Sequence, residues 1–307
     1  MEKFIVVIFY KYVKIQNPED IKEKLFKIAE GTSVKGRIIL GEEGINATAG
    51  GTIEDIKRFV EELSKIKGFH GIDFKYSDAS FNPFNKLKIK IRPEIVTLGN
   101  EAKHIDMTKA EPARHISPEE LERLYKDEQE NLIVIDARNR YEWQVGKFRN
   151  SITPEIENFR DIPKFLKKIK NKVKGKKVVF ACTSGIRCEK LTAYAKSIGY
   201  KGDIYQLEGG MQRYLEKYPS SNFEGALYVF DDRITITYDN SPDRKIISIC
   251  EYCHEPCDSI KNCFNAKCNK RMIICDDCFK KQQGCCSEGC QKIKYPRKVK
   301  YRFEEKL

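Results

Sequence analysis

Apolar positions in the first hundred residues repeat with two periods. Residues 4–10, Phe-Ile-Val-Val-Ile-Phe-Tyr, form a continuous apolar run of strand length, and Pro18 opens a segment in which Ile21, Leu25, Phe26 and Ala29 recur at helical spacing. Two further strand-length runs, 36–40 and 45–49, are joined by the short connection Gly41-Glu42-Glu43-Gly44. A helix over 52–66 follows, with Ile56, Phe59, Val60 and Leu63 on one face, and then short strands at 74–76 and 87–91.

This order, βαββαβ with one extra strand, predicts an α+β domain over 1–100 of the ferredoxin-like, acylphosphatase-like kind. From residue 117 the pattern changes. A helix over 119–127 precedes the apolar strand 132–136, and a helix over 163–174 turns Phe165, Leu166 and Ile169 inward and its lysines outward. The strand 178–181, the helix 187–197 and the strand 204–207 follow. Apolar strands alternating with helices predict a parallel α/β domain over 119–222. Residues 101–118, with little apolar periodicity, read as a linker, 223–249 as connecting strands, and 250–307 as a cysteine-rich module with a basic tail.

Composition sharpens the picture. A chain of 307 residues, 40% hydrophobic, has room for two or three cored domains. Its net charge of +12 favours an acidic partner, with nucleic acid first and an anionic membrane surface second. The run 4–10 is short, ends at Lys11 and lacks a small-residue cleavage site, and no stretch reaches membrane-spanning length. The sequence therefore reads as a soluble cytoplasmic protein without a membrane partner, whose clustered cysteines bind metal rather than pair as disulfides.

Residues 182–188, Cys-Thr-Ser-Gly-Ile-Arg-Cys, directly follow the strand 178–181. A small polar loop of Thr183, Ser184, Gly185 and Ile186 lets successive backbone N–H groups turn inward, and the following helix points its positive end at the Cys182 sulfur. Those surroundings favour thiolate. Arg187 stands five positions after Cys182, one fewer than in phosphate-handling cysteine loops, which gives a tighter cradle resembling that of the rhodanese superfamily. The plainer alternative is an inert buried thiol in a strand-to-helix turn. Arg187 either neutralises an anion at Cys182 or joins a salt bridge. Cys188 either resolves a persulfide or sulfenic acid on Cys182 or packs the first helical turn. Asp136, Arg138 and Glu142 read as braces of the strand–loop junction.

Ten of the twelve cysteines lie between Cys250 and Cys290, and two C-x-x-C pairs within this stretch signal zinc. Alternating the pairs as in cross-brace modules assigns Cys250, Cys253, Cys275 and Cys278 to one ion, and Cys263, Cys268, Cys286 and Cys290 to a second. Cys257, Cys285 and His254 remain over. An iron–sulfur cluster is the alternative. Two basic segments are candidate RNA contacts: Lys167 and Lys168 on the lysine-rich helix, and Lys294, Arg297, Lys298 and Lys300 in the tail, where Tyr295 and Tyr301 interleave. The helix is otherwise a solvated face, and the tail a disordered solubilising end.

Gly44-Ile45-Asn46 within 36–48, Asp136-Ala-Arg-Asn-Arg-Tyr-Glu142, the Cys182 loop and Phe230-Asp-Asp-Arg233 occur in this order. Together they resemble the bacterial rhodanese-domain family of oxygen-dependent tRNA uridine(34) hydroxylases, over nearly the whole chain. The resemblance implies hydroxylation of the wobble uridine at C5, with molecular oxygen as co-substrate, the tRNA anticodon arm as partner and Cys182 as the essential cysteine. Neither the electron donor nor the oligomeric state is legible. The four histidines form no close ligand pair of the kind a non-haem iron site needs. The competing readings are a sulfurtransferase carrying a persulfide on Cys182, and a non-enzymatic RNA-binding module.

Overall fold

The computed structural model describes residues 3–200 and 202–292. Its N-terminal unit runs β1 (Phe4–Tyr12), α1 (Pro18–Ala29), β2 (Lys35–Gly41), β3 (Gly44–Thr52), α2 (Ile53–Ser64), β4 (Lys75–Ala79) and β5 (Leu87–Ile91). The sheet order is β4-β1-β3-β2-β5, with β3 antiparallel to β1 and β2, and β5 parallel to β2. The side chains of Asn17 and Thr52 accept from backbone N–H groups in the first turns of α1 and α2, which fixes both helix starts. Strand alternation puts Val7, Phe9, Ile38, Leu40 and Ile45 in one core with Leu25, Ile56, Phe59 and Leu63 of the helices. By the same alternation and the strand register, Tyr10, Asn46, Arg37, Lys88 and Lys90 occupy the opposite face.

The central unit comprises β6 (Arg114–Ile116), α3 (Pro118–Asp127), β7 (Leu132–Asp136), α4 (Arg140–Trp143), β8 (Gly146–Phe148), α5 (Ile162–Ile169), β9 (Lys177–Ala181), α6 (Ile186–Ser197), β10 (Ile204–Leu207), α7 (Gly210–Lys217) and β11 (Phe223–Gly225). Its parallel sheet has the order β6-β10-β9-β7. One apolar cluster gathers Phe180, Leu191, Ile162 and Leu166, and a second Val179, Leu121, Phe148 and Tyr214. Residues 101–118 do more than link. Ala102, Met107, Ala113 and Ile116 are buried, and β6 is an edge strand of the parallel sheet. Three residues are too few to show a period, and pairing with β10 makes the strand. The expected helix over 163–174 begins one residue earlier and ends at Ile169; Val173 still reaches the core from the turns that follow.

β12 (Leu227–Tyr228) and β13 (Thr235–Ile236) form a hairpin. The cysteine-rich end adds β14 (Ile260–Asn262), β15 (Arg271–Ile273), α8 (Asp276–Lys281) and α9 (Glu288–Gln291) around Met272, Ile274, Phe279 and several cysteines. Lys294, Arg297, Lys298 and Lys300 lie outside the described residues. Among the described residues, no helix is long and apolar enough to cross a membrane.

Polar contacts join the first two units. Lys190 of α6, only 2% exposed, donates to Glu43 at 3.1 Å and Glu94 at 2.6 Å. Gln212 of α7 donates to the Tyr76 carbonyl at 3.2 Å.

Candidate active site and cysteine clusters

The end of β9 delivers Cys182 into a tight turn before α6. Gly185 makes that turn possible at φ 101°, a conformation costly for any residue with a Cβ, and its N–H donates to the Cys182 sulfur at 3.2 Å. The N-terminus of α7 closes the other side: Met211 N–H donates to the Cys182 carbonyl at 2.9 Å, and Gln212 N–H to that of Thr183 at 3.0 Å. This approach requires Gly210, where a Cβ would fall 2.6–2.8 Å from backbone atoms of the loop. The Gly209-Gly210 pair, which sequence reasoning passed over, is thus part of the site.

Every residue from Cys182 to Cys188 is buried, and Cys182 has no exposed surface. From the N-terminal unit, Tyr10 lies so close that a Cβ at Gly185 would meet its hydroxyl at 2.8 Å. That hydroxyl donates to Glu189 at 3.2 Å, and Glu189 is also within 3.1 Å of His115 Nε2.

Burial pushes the Cys182 thiol up, but the Cys188 thiol, the Arg187 guanidinium and the backbone N–H groups of Arg187 and Cys188 outweigh it and bring the pKa down to about 6. Burial, together with the hydrogen bond and charge of Cys182, drives Cys188 well above the usual thiol value. The pair therefore resolves into one thiolate and one protonated donor.

Arg187 satisfies both sequence alternatives. Its charge favours the Cys182 thiolate, while Nη1 and Nη2 hold the two oxygens of Glu142 at 2.6 and 2.8 Å. Glu142 thus braces the arginine across 45 positions of sequence and also its own strand–loop junction, where Asn139 N–H donates to the same carboxylate at 3.0 Å. Asp136 and Arg138 form the expected buried pair at 2.6 Å. The Arg187 guanidinium also lies 6.0 Å from the Phe159 ring and 5.7 Å from that of Phe230. Lys167 is ion-paired with Glu101 at 2.5 Å, and Lys168 is exposed.

The eight expected cysteine ligands form two groups, Cys250/Cys253/Cys275/Cys278 and Cys263/Cys268/Cys286/Cys290, with the sulfurs of each within 4.8 Å of one another. N–H donors already face several sulfurs: Cys275 N–H donates to Cys250 at 3.5 Å, and the Asn265 amide to Cys290 at 3.3 Å. Four thiols with N–H support fit a soft divalent ion in tetrahedral geometry. Cys257, Cys285 and His254 belong to neither group.

A cysteine loop at the carboxyl end of a parallel strand, followed by a helix that opens with arginine and cysteine, is a rhodanese-type site. Residues 117–217 match the model of the rhodanese-like domain, residues 4–95 that of the UPF0176 acylphosphatase like domain, and residues 224–291 that described as Rhodanase C-terminal. A tRNA uridine(34) hydroxylase of Aster yellows witches'-broom phytoplasma is 36% identical over 290 residues, 94% of this chain and 92% of that protein. Proteins of the same name are 37% identical in Cytophaga hutchinsonii, over 95% of this chain and 91% of that one, and 36% identical in Arthrobacter sp. (strain FB24), over 93% and 98%. The chain belongs to the tRNA uridine(34) hydroxylase family.

Proposed function

We propose that this protein is an oxidoreductase that hydroxylates uridine 34 of tRNA at C5 with molecular oxygen, and that Cys182 is the reacting group. What carries this reading is a buried thiol whose pKa is brought down to about 6, in a chain that parallels the named hydroxylases almost from end to end. Arg187 and the loop N–H groups stabilise the sulfur anion, and Cys188 donates to it. The anticodon arm is the bound element, because its single-stranded loop lets the wobble base splay out at small cost. Lys168 and the tail cations Lys294, Arg297, Lys298 and Lys300 contribute phosphate contacts, and Lys167 joins them by exchanging Glu101 for RNA. The site of action is the cytoplasm. Each cysteine group holds one structural zinc, which supplies much of the folding free energy of a segment with few aliphatic residues.

The test is mass analysis of wobble uridine in cells lacking the protein, complemented with wild type or Cys182→Ser. Loss of 5-hydroxyuridine, restored only by wild type, supports the reading. Undiminished 5-hydroxyuridine in the deletion strain, with a persulfide on Cys182 in purified protein, would replace it by sulfur transfer.

A further inference from the structure

Phe230 is 42% exposed, although it sits on one of the most firmly braced turns in the molecule. Arg233 grips the buried Asp231 at 2.6 Å and reaches across to Ser77 at 2.9 Å and the Asp78 carbonyl at 3.0 Å of β4. Val229 N–H closes the turn onto the Ile234 carbonyl at 2.8 Å, and Arg37 Nη1 of β2 donates to the Phe230 carbonyl at 3.1 Å. The ring meets Tyr228 in a T-shaped contact with centroids 5.2 Å apart, and the Arg187 guanidinium lies over one of its faces, 5.7 Å from the centroid. The turn thus presents a large aromatic surface to solvent, with its position fixed in advance, next to the arginine of the cysteine loop. Leaving that much of the ring exposed forgoes part of the roughly 1.5–3 kcal/mol that full burial of a phenylalanine is worth.

The neighbouring surface is cationic. Arg37 pairs in register with Lys88 of β5, and Lys90 follows on the same face of that edge strand. All three are exposed, and neither lysine forms an ion pair among the described residues. Of the two carboxylates on the turn, Asp231 is taken up by Arg233 and Asp232 opposes the cations. An aromatic face flanked by a short row of cations is the pattern that binds single-stranded nucleic acid, with bases stacking on the ring and phosphates on the cations.

We propose that Phe230 is a stacking platform for a nucleobase of the anticodon loop, and that Arg37, Lys88 and Lys90 hold the adjoining phosphates. The proposal rests on the hydroxylase reading above and gives it a docking surface among the described residues. Stacking on Phe230 puts the neighbouring nucleotide beside Arg187, at the rim of the cysteine loop.

The full-length protein is titrated with a synthetic anticodon stem–loop RNA bearing uridine 34, and with a blunt RNA duplex of equal length. Phe230→Ala is expected to weaken stem–loop binding by about 5- to 150-fold, the worth of one base–aromatic stack, with little effect on the duplex. Phe230→Trp is expected to keep the affinity, with its indole emission quenched by the stem–loop. Replacing Lys88 and Lys90 by glutamine should weaken both RNAs and lower the salt slope by about 0.7–0.9 per lost phosphate contact. If Phe230→Ala binds the stem–loop as wild type does while wild type still forms 5-hydroxyuridine, the platform is refuted and the hydroxylase reading stands. If the lysine substitutions change nothing, those residues only guard a sheet edge and the phosphate row is refuted. A wild-type protein that neither binds the stem–loop nor forms 5-hydroxyuridine would overturn both readings together.

Discussion

A wholly enclosed thiol ordinarily resists ionisation, because burial penalises the charged form. Cys182 departs from that rule through the Cys188 thiol, the Arg187 charge and the loop N–H groups, and its pKa falls from 9.0 to about 6. Alkylation of Cys182 should therefore reach half its limiting rate near pH 6, and Arg187→Ala should move that midpoint upward; mass spectrometry of labelled peptides reads both. The sign carries over to stability. An acid with a depressed folded pKa contributes fully above the unfolded value near 9.0, and that contribution disappears as pH falls through about 6. Glu142 belongs to the same account, since its side chain is fully buried and its partner 9% exposed. Glu142→Ala leaves a buried guanidinium unpaired and should cost about 3–5 kcal/mol in chemical denaturation. The cysteine, its loop and its arginine were legible because six consecutive positions carry them. Glu142, Tyr10 and Phe230 were not assigned to the site, because each arrives from a distant part of the chain and carries no local mark of where it will go.

At the scale of elements, periodicity predicted the N-terminal order because each strand and helix there is long enough to show its period, as α2 does with Ile56, Phe59 and Leu63 buried. It failed for β6 and β8, three residues each, which exist only through pairing with β10 and β11. The cysteine groups show the opposite balance. Their ligand sets follow from spacing although the helices and strands among them run to only three to six residues. With zinc in both groups, metal analysis should return two ions per chain. Chelation should then collapse the segment 250–290 while the far-ultraviolet signature of the α/β core persists, because the two parts draw stability from different sources. A protein that binds no metal as purified, or a chelated protein with unchanged hydrogen exchange in that segment, would contradict this.

Among the described polar contacts that hold the N-terminal unit against the central one, Lys190 carries the most deeply buried charge. Lys190 places one ammonium between two carboxylates of the N-terminal unit, almost out of reach of water. Lys190→Ala leaves Glu43 and Glu94 facing each other without a cation, so the N-terminal unit should loosen from the loop it covers. The expected signature is faster Cys182 alkylation on the alkaline plateau with a nearly unchanged midpoint, since access changes and acidity does not. An unchanged plateau would show that Lys190 has no part in closing the site. The complete enclosure of Cys182 also bears on how long the protein survives in use. A thiolate is the form of cysteine that peroxides attack, yet in the resting loop Cys182 offers them no sulfur surface. Oxidative wear at this cysteine is then confined to the moments when the site stands open, so the working life of the reacting thiol under peroxide stress is counted in substrate visits rather than in hours.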